Sequence, residues 1–259
     1  MQRVDYDARL HAVYDAGRQM SPEALEAWME ALACHLPETR PLAWLDLGSG
    51  TGRLTPSLAS AFGGPAHGVE PSDRMRAQAV AHAGHPAVTY AAGSGEQIPL
   101  PDNSCDAALV FFVWHHVADR ERAAEELHRV VKPGGRLFVV TNLADRMPDT
   151  WWFRVMPEWL EVDRAQFRTE GAVKGDFTGA GWTLAAHDRV TWPRAASLAE
   201  DYERLKLRSV SVFEHLSDEV AETGFARIEA ALPSLDPGPQ YETSELLVFE
   251  ERAAGIEPA

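Results

Sequence analysis

Short apolar runs alternate with amphipathic stretches along most of the chain. Residues 42–47, 107–113 and 136–141 are almost continuously apolar, which is typical of strands that are buried on both faces. Helical spacing of apolar residues predicts helices over about 54–61 and 71–82. Further strands are predicted at 66–70, 88–91, 183–192 and 244–249. Strands that alternate with helices in this way predict an α/β fold with a doubly wound, mostly parallel seven-stranded sheet.

The first forty residues are predicted to be helical. Ser21 is a suitable N-cap, Pro22 fits the first helical position and Glu23 stands in the first turn. The apolar residues that follow fall on one helical face: Leu25, Trp28, Met29 and Leu32. We therefore expect this helix to pack on the core.

The chain divides into three predicted parts. Residues 1–40 form the helical segment, 41–142 form a ligand-binding core, and 143–259 complete the sheet. Two helices, at about 195–207 and 217–232, lie between the last two predicted strands. Because this connection is longer than a hairpin requires, we expect it to fold back as part of a helical cap over the carboxyl edge of the sheet.

Composition and charge indicate which kinds of partner this protein is not expected to bind. The 259 residues are 45% hydrophobic and carry a formal charge of −15 at pH 7. An acidic chain lacks the basic footprint that nucleic acid or an anionic membrane requires, so neither is expected as a partner. The sequence has no run of 18 apolar residues and no signal-peptide pattern, so we expect a cytoplasmic protein. Two cysteines, Cys34 and Cys105, and scattered histidines predict neither a disulfide frame nor a metal site.

A glycine-rich turn follows the first predicted strand. The strand carries Asp46 near its end and runs into Gly48, Gly50 and Gly52 at G-x-G-x-G spacing. Gly48 can adopt a positive φ, Gly50 lacks a side chain that would collide with a ligand, and Gly52 lets the next helix pack on the strand. Such a turn suits a nucleoside-like ligand. By itself it is also compatible with an ordinary tight turn, and it lacks the G-x-G-x-x-G spacing of dinucleotide binders.

Further stretches follow in a set order. Residues 66–69 are apolar and end in Glu70, an acid at the tip of the second strand, where doubly wound folds bind ribose hydroxyls. The next stretches are 92–102, 105–116 and 125–140, the last of which reads as a helix, a Pro-Gly-Gly turn and an apolar strand. In this order the chain resembles the class I S-adenosylmethionine-dependent methyltransferases. It is most similar to the small-molecule branch that includes the ubiquinone/menaquinone-biosynthesis methyltransferases.

The resemblance covers about residues 10–142 and implies a Rossmann-like methyltransferase fold with S-adenosyl-L-methionine as cofactor. By family analogy, Asp46 and the amides of residues 48–52 bind the amino acid end and the ribose, while Glu70 accepts both ribose hydroxyls. The cofactor-binding residues implied are Tyr14, Arg18, Asp46, Gly48, Ser49, Gly50, Thr51, Gly52, Glu70, Pro71, Met75, Ser94, Gly95, Glu96 and Phe111. Glu70 could also be an exposed surface acid, and Met75 an ordinary core methionine.

Two parts of this site need separate treatment. Ser94 occupies the position at which similar enzymes carry an aspartate for the adenine amino group, and its hydroxyl is a shorter and neutral acceptor. Tyr14 and Arg18 resemble an amino-terminal Tyr-x-x-x-Arg segment that folds over the cofactor in related enzymes. An arginine suits the methionine carboxylate, although a solvated helix charge would explain Arg18 equally well.

Few residues are candidates for catalysis. His115 and His116 close the fourth predicted strand at the carboxyl edge of the sheet, where open α/β sheets bind ligands. Adjacent residues on a strand face opposite ways, so one histidine faces the substrate and the other is a core histidine. We expect His116 to act as a base or to position the acceptor. A base is needed only if the acceptor is protonated at working pH.

An aromatic segment follows the core. Residues 142–166 include Trp151, Trp152 and Trp159, which either pack a helix onto the sheet or form a lid over an apolar substrate. Tyr202 and His215 on the later helices are further candidates for the substrate site.

Three classes of function are compatible with these features. The first is a methyltransferase of bacterial secondary metabolism that acts on an O, N or C atom of a small apolar or aromatic metabolite. The second is a protein that binds the cofactor but catalyses a non-methylating reaction such as a cyclisation. The third, a nicotinamide-dependent oxidoreductase, is disfavoured by the glycine spacing.

Overall fold

The computed structural model describes residues 11–251, and these residues form a seven-stranded sheet with helices on both faces. The strands are β1 Leu42–Leu47, β2 Gly63–Glu70, β3 Val88–Ala92, β4 Cys105–Phe111, β5 Val131–Thr141, β6 Trp182–Ala195 and β7 Gln240–Glu251. The helices are α1 His11–Arg18, α2 Pro22–Ala33, α3 Thr55–Phe62, α4 Asp73–His82, α5 Arg120–Val130, α6 Trp151–Val155, α7 Pro157–Arg164, α8 Glu170–Thr178, α9 Leu198–Lys206 and α10 Asp218–Ala231.

The sheet is mostly parallel, as the sequence predicts. Its strand order is β3-β2-β1-β4-β5-β7-β6. The first five strands in this order pair in parallel, whereas β7 is antiparallel to both β5 and β6. The order reverses between β1 and β4, so the carboxyl ends of these two strands flank the crevice in which doubly wound folds bind ligands.

Both faces of the sheet are buried. One face carries a cluster that includes Leu127 of α5 and Phe177 of α8. The other face carries a cluster that includes Trp28 of α2, Phe62 of α3 and Trp44 of β1, with 4.9 Å between the ring centroids of Trp44 and Phe62. Coverage on both faces explains why the central strands are apolar at successive positions.

A third hydrophobic cluster forms the helical cap. It unites residues of α6, α7, α9 and α10 with the short 3-10 helix Ser211–His215. Trp159 of α7 lies at its centre, and a Cβ placed on Gly224 would come within 2.1 Å of the Trp159 Cζ2 atom. The missing side chain therefore lets α10 approach α7 closely. Within residues 11–251, no helix is long and apolar enough to cross a membrane.

The chain leaves β4 earlier than the sequence predicts. The strand ends at Phe111, and Phe112 adopts a φ of 55° while its amide donates to Val140 O. The next residues form a 3-10 turn that contains both His115 and His116, whose ring centroids lie 3.9 Å apart. The expectation that the two rings face opposite sides of a strand is therefore wrong, because the backbone has turned before it reaches them.

The last two strands are longer than predicted. The sequence predicts 183–192 and 244–249, whereas β6 begins at Trp182 and ends at Ala195, and β7 spans Gln240–Glu251. The added residues include polar side chains and Pro193, which conceal the strand pattern. Proline is tolerated here because β6 is an edge strand.

Candidate active site

The glycine loop places two glycines in different surroundings. Gly48 has a φ of 71°, and a Cβ there would lie 2.4 Å from Val113 Cγ2. Gly50 has a φ of 57°, but the nearest protein atom to its Cβ position is Met75 Cε, at 3.5 Å. Both glycines line a cavity. Gly48 is therefore required by protein packing, whereas Gly50 leaves room for a ligand.

Glu70 is held at the end of β2 by backbone amides. Its Oε2 accepts a hydrogen bond from Gly50 N at 3.0 Å, and its Oε1 accepts one from Ser72 N at 2.8 Å. Ser72 also caps α4, because its hydroxyl accepts the amide of Met75. The carboxylate is only 8% exposed and lines the cavity beside the loop. Its orientation is thus fixed by the protein itself.

The cavity at the carboxyl ends of β1 and β4 measures about 390 Å³. The predicted cofactor residues that line it are Tyr14, Gly48, Gly50, Glu70, Pro71, Met75, Ser94, Gly95, Glu96 and Phe111. His116 lines it as well, together with residues that the sequence analysis missed: Leu47, Ser72, Phe112, Val113 and Val117. The predicted residues that do not line it are Arg18, Asp46, Ser49, Thr51 and Gly52.

Asp46 lies beneath the loop rather than in the cavity. Thr55 Oγ1 donates a hydrogen bond to Asp46 Oδ2 at 2.6 Å, which ties β1 to the start of α3. Burial raises the pKa of Asp46 to about 6. Its contact with the amino acid end of a cofactor stays a prediction.

Gly52 is required for a reason other than the one expected. A Cβ on Gly52 would lie 2.3 Å from Tyr90 Oη and 2.7 Å from Ala83 Cβ. The glycine therefore makes room for β3 and the end of α4, and not for the packing of the next helix on β1. Ser49 faces the same region, since a Cβ on Gly68 would lie 2.8 Å from the Ser49 hydroxyl oxygen.

At the other end of the cavity, Ser94 interacts with Glu96. Burial alone would raise the pKa of Glu96, but the Ser94 hydroxyl and backbone amides donate hydrogen bonds to the carboxylate and lower its pKa below the ordinary value. The amides of Ala118 and Asp119 lie 3.1 and 3.2 Å from Glu96 Oε1. The serine thus contributes to a fixed carboxylate in a place where the family pattern has an aspartate.

A second, smaller cavity of about 60 Å³ adjoins the first. Tyr14, Phe112 and His116 line both cavities and form the wall between them. Of the predicted site residues, Arg18, His115 and Trp152 also line the second cavity. Its other lining residues are Asn142, Pro148, Thr150, Phe153, Asp163, Phe167, Arg194, Ser209, Val210, Ser211 and Glu242.

Charged residues form much of this second cavity. Arg194 donates from Nε to Asp201 Oδ1 and from Nη1 to Glu242 Oε2, each at 2.8 Å, and its guanidinium lies 4.3 Å from the Trp152 ring centroid. Asp163 is 3% exposed, and burial raises its pKa to about 7. The pocket is therefore more polar than the aromatic lid that the sequence suggests.

The other predicted substrate residues line neither of the two cavities: Trp151, Trp159, Tyr202 and His215. Trp159 is fully buried in the cap and packs edge-on against Phe213. Trp151 donates to Asp201 Oδ2 at 2.8 Å, and Tyr202 donates to Glu229 at 2.8 Å. His215 ends the 3-10 helix Ser211–His215. Their contact with an acceptor stays a prediction.

The sequence indicates the polar residues of the second cavity only weakly. Asp163 follows Trp159 by four positions, which places it on the buried face of α7. Arg194 and Glu242 stand within strands, where a buried charge is unusual. These signals become informative only once α7, β6 and β7 are known to converge.

Comparisons with known proteins agree with this geometry. A family profile described as "Methyltransferase domain" matches residues 45–139. An uncharacterized methyltransferase of Mycobacterium tuberculosis is 37% identical over 180 residues, covering 69% of this chain and 66% of the relative. The ubiquinone/menaquinone biosynthesis C-methyltransferase of Methylobacterium nodulans is 31% identical over 194 residues, covering 65% of this chain and 77% of the relative. The chain belongs to the S-adenosylmethionine-dependent methyltransferases.

The likenesses cover different shares of the proteins compared. The chain matches just under two thirds of the length of the mycobacterial relative. The crystal structure of the cyclase SpnF has a TM-score of 0.61 at 18% identity, covering 92% of this chain and 84% of that protein. This second likeness concerns the fold alone.

The methyltransferase cofactor, S-adenosyl-L-methionine, fits the larger cavity. A Cβ on Gly50 would project into the cavity without meeting a protein atom closer than 3.5 Å, so the glycine preserves space for a ligand. Glu70 presents a fixed carboxylate that can accept ribose hydroxyls in addition to its two amides. Met75 and Phe111 contribute apolar side chains to the lining of this cavity.

Proposed function

We propose that this protein transfers a methyl group from S-adenosyl-L-methionine to an O, N or C atom of a small apolar or aromatic metabolite. The observation that supports this most directly is the pair of adjoining cavities. The larger fits the cofactor, and the smaller has aromatic walls that include Trp152, Phe153 and Phe167. Aromatic walls with a few polar groups are typical of small-molecule sites.

The residues of this chain would act mainly by positioning. When bound, the cofactor supplies an electrophilic methyl group, and the rate of transfer depends on alignment of the acceptor with it. Tyr14, Phe112 and His116 separate the two cavities and are suited to set that alignment. The amino-terminal segment contributes here through Tyr14 of α1; residues 1–10 of the predicted segment 1–40 lie outside the described residues.

Labelled cofactor tests the proposal. The protein is incubated with methyl-labelled S-adenosyl-L-methionine and a panel of small phenols, aromatic amines and electron-rich aromatic hydrocarbons. We expect label in at least one compound, with an equal amount of S-adenosyl-L-homocysteine formed. Gly50→Val, which fills the cofactor cavity, serves as the inactive control. Conversion of a compound without label would instead support the non-methylating alternative, and failure to bind the cofactor would contradict both.

A further inference from the structure

The second cavity contains polar atoms that the protein does not satisfy. Thr150 Oγ1 and His115 Nδ1 are buried and have no hydrogen-bond partner among residues 11–251. Asp163 accepts from Gln166 Nε2 at its Oδ1, and no hydrogen bond within the same residues reaches its Oδ2. Glu242 likewise uses Oε2 for Arg194, while its Oε1 has no partner in the described part of the chain. All four residues line the same cavity.

Each of these four atoms can accept a hydrogen bond, the carboxylate oxygens when ionised and the imidazole nitrogen in one of its tautomers. Two are carboxylate oxygens, one is a hydroxyl oxygen and one is an imidazole nitrogen. Burial of the Thr150 and His115 atoms without partners costs free energy, so native proteins satisfy such atoms with protein, water or ligand. A ligand that donates hydrogen bonds would complement these atoms and the available carboxylate oxygens of Asp163 and Glu242.

We propose, on the basis of the proposed function, that the methyl acceptor carries an N–H or O–H group and that Asp163 is the catalytic residue that binds this group and takes its proton. Asp163 is suited to this role by position. It lies on α7 in the cavity that adjoins the cofactor cavity, and its Oδ2 is available for the acceptor. The aromatic walls would contact the remainder of the molecule.

The charged groups around Asp163 come from several elements. Arg18 of α1 lowers its pKa, and Glu242 of β7 raises it, while burial is the largest effect and raises it to about 7. Arg194 of β6 is neutralised by Asp201 and Glu242. His115 and His116 lie in the 3-10 turn, and burial lowers the pKa of His115 well below 6.5, so that its imidazole is neutral. Near neutral pH, Asp163 can therefore both lose and accept a proton.

The lone pair of the acceptor nitrogen or oxygen forms a bond to the methyl carbon, and the carbon–sulfur bond breaks with its electron pair retained by sulfur. The N–H or O–H proton passes to Asp163 Oδ2. Release of that proton to water regenerates the carboxylate, and the products are the methylated acceptor and S-adenosyl-L-homocysteine.

Small ring compounds of matched size provide a binding test. Isoxazolidine, which is uncharged near neutral pH, donates through N–H, cyclobutanol donates through O–H, and tetrahydrofuran cannot donate. Each is titrated into protein saturated with S-adenosyl-L-homocysteine, so that no turnover is required. We expect the wild type to bind isoxazolidine or cyclobutanol at least tenfold more tightly than tetrahydrofuran. The donor that is preferred identifies the acceptor as an amine or an alcohol.

Two variants distinguish the role of Asp163 from a structural one. Asp163→Asn should remove the preference for donors while leaving the affinity for S-adenosyl-L-homocysteine unchanged. Glu161→Gln is the matched control, because Glu161 lies on the same helix and its carboxylate pairs with the neighbouring Arg164 at the surface. Equal binding of tetrahydrofuran, absence of binding by all three compounds, or an unchanged preference in Asp163→Asn would overturn the proposal.

Methyl transfer to the preferred donor supplies the catalytic readout. With the wild type, the rate should rise with pH up to about 7, as Asp163 ionises, and then level off. With Asp163→Asn, it should fall by about 10²-fold or more and lose this pH dependence. No label on a donor that binds, or equal rates in the variant, would overturn the assignment of Asp163. The proposed function is tested separately by cofactor binding and the broader panel.

Discussion

The carboxylate of Glu70 and the backbone amide of Gly50 are joined by a hydrogen bond of 3.0 Å. This bond links the end of β2 to the loop that follows β1, across two strands that are neighbours in the sheet. It also fixes the acid before any ligand arrives, since the second carboxylate oxygen is held by the amide of Ser72. Pre-organisation of this kind lowers the entropic cost of binding.

Replacement of Glu70 should weaken cofactor binding. We expect Glu70→Ala to reduce the affinity for S-adenosyl-L-homocysteine by about 1.5–3 kcal/mol, the range for a hydrogen bond to a charged group. Isothermal titration calorimetry measures the change. Glu30→Ala, at an exposed position of α2, is the control and should bind normally. An unchanged affinity in Glu70→Ala would show that the acid does not contact the ligand.

Gly134 is a matched control position for testing the role of Gly50 in the glycine loop. Both have positive φ, at 57° and 76°, so alanine should cost each position a similar backbone strain of about 1–2 kcal/mol. A Cβ on Gly134 would meet nothing within 4 Å, and Gly134 lies outside both cavities. Gly50→Ala and Gly50→Val should therefore lose cofactor affinity, whereas Gly134→Ala should retain it. Circular dichroism confirms folding, and normal binding by Gly50→Val would place the ligand elsewhere.

Replacement of Trp159 should lower the stability of the protein, whereas replacement of Trp152 should weaken ligand binding. Trp159 is fully buried in the cap, so Trp159→Ala should cost about 3–5 kcal/mol of stability and leave cofactor affinity intact in the folded protein. Trp152 lines the second cavity and stacks with Arg194, so Trp152→Ala should weaken binding of the acceptor more than that of the cofactor. Thermal melting and titrations of both variants measure these effects. Identical losses in both would contradict the separation of cap core from pocket.

Asp163 should make the stability of the protein depend on pH. Its pKa is about 7 in the folded protein and 3.8 ordinarily, so the folded chain retains a proton that the unfolded chain releases. The free energy of unfolding should therefore fall as pH rises from about 4 to 7. The difference of about three pKa units corresponds to a loss on the order of 4 kcal/mol.

Asp163→Asn tests this dependence because it removes the buried titratable group. We expect the variant to melt at a higher temperature than the wild type at pH 8, and the two proteins to converge toward pH 4. A wild-type stability that does not fall between these limits more than that of the variant would contradict the assignment. A gain in stability accompanied by a loss of activity is typical of residues retained for function.

The predictable part of the molecule is the part that local sequence determines. Glu70 was identified as the end of β2, and Gly48 and Gly50 as the turn, because strand ends and positive-φ glycines are set by neighbours along the chain. Phe112 was missed because a bulky residue at positive φ has no sequence signature. The early end of β4 and the placement of both histidines followed from that one residue.

The second cavity could not be predicted, because it depends on contacts between distant segments. Asp163, Arg194 and Glu242 stand on three elements that meet only when β7 inserts between β5 and β6. Trp151, Trp152 and Trp159 are residues of one type in one short segment. In the structure, Trp151 donates a hydrogen bond to Asp201, Trp152 lines the second cavity and Trp159 is buried in the cap. Helical periodicity in the sequence does not distinguish these three environments.

The wall that the two cavities share gives a ligand in one cavity a means of affecting a ligand in the other. Any ligand that shifts the equilibrium position of Tyr14, Phe112 or His116 changes the affinity of the neighbouring cavity. Thermodynamic linkage requires the effect to be reciprocal, so the factor by which the acceptor changes cofactor affinity equals the factor by which the cofactor changes acceptor affinity. If cofactor and acceptor occupy the two cavities as proposed, their binding is linked wherever one of them moves Tyr14, Phe112 or His116.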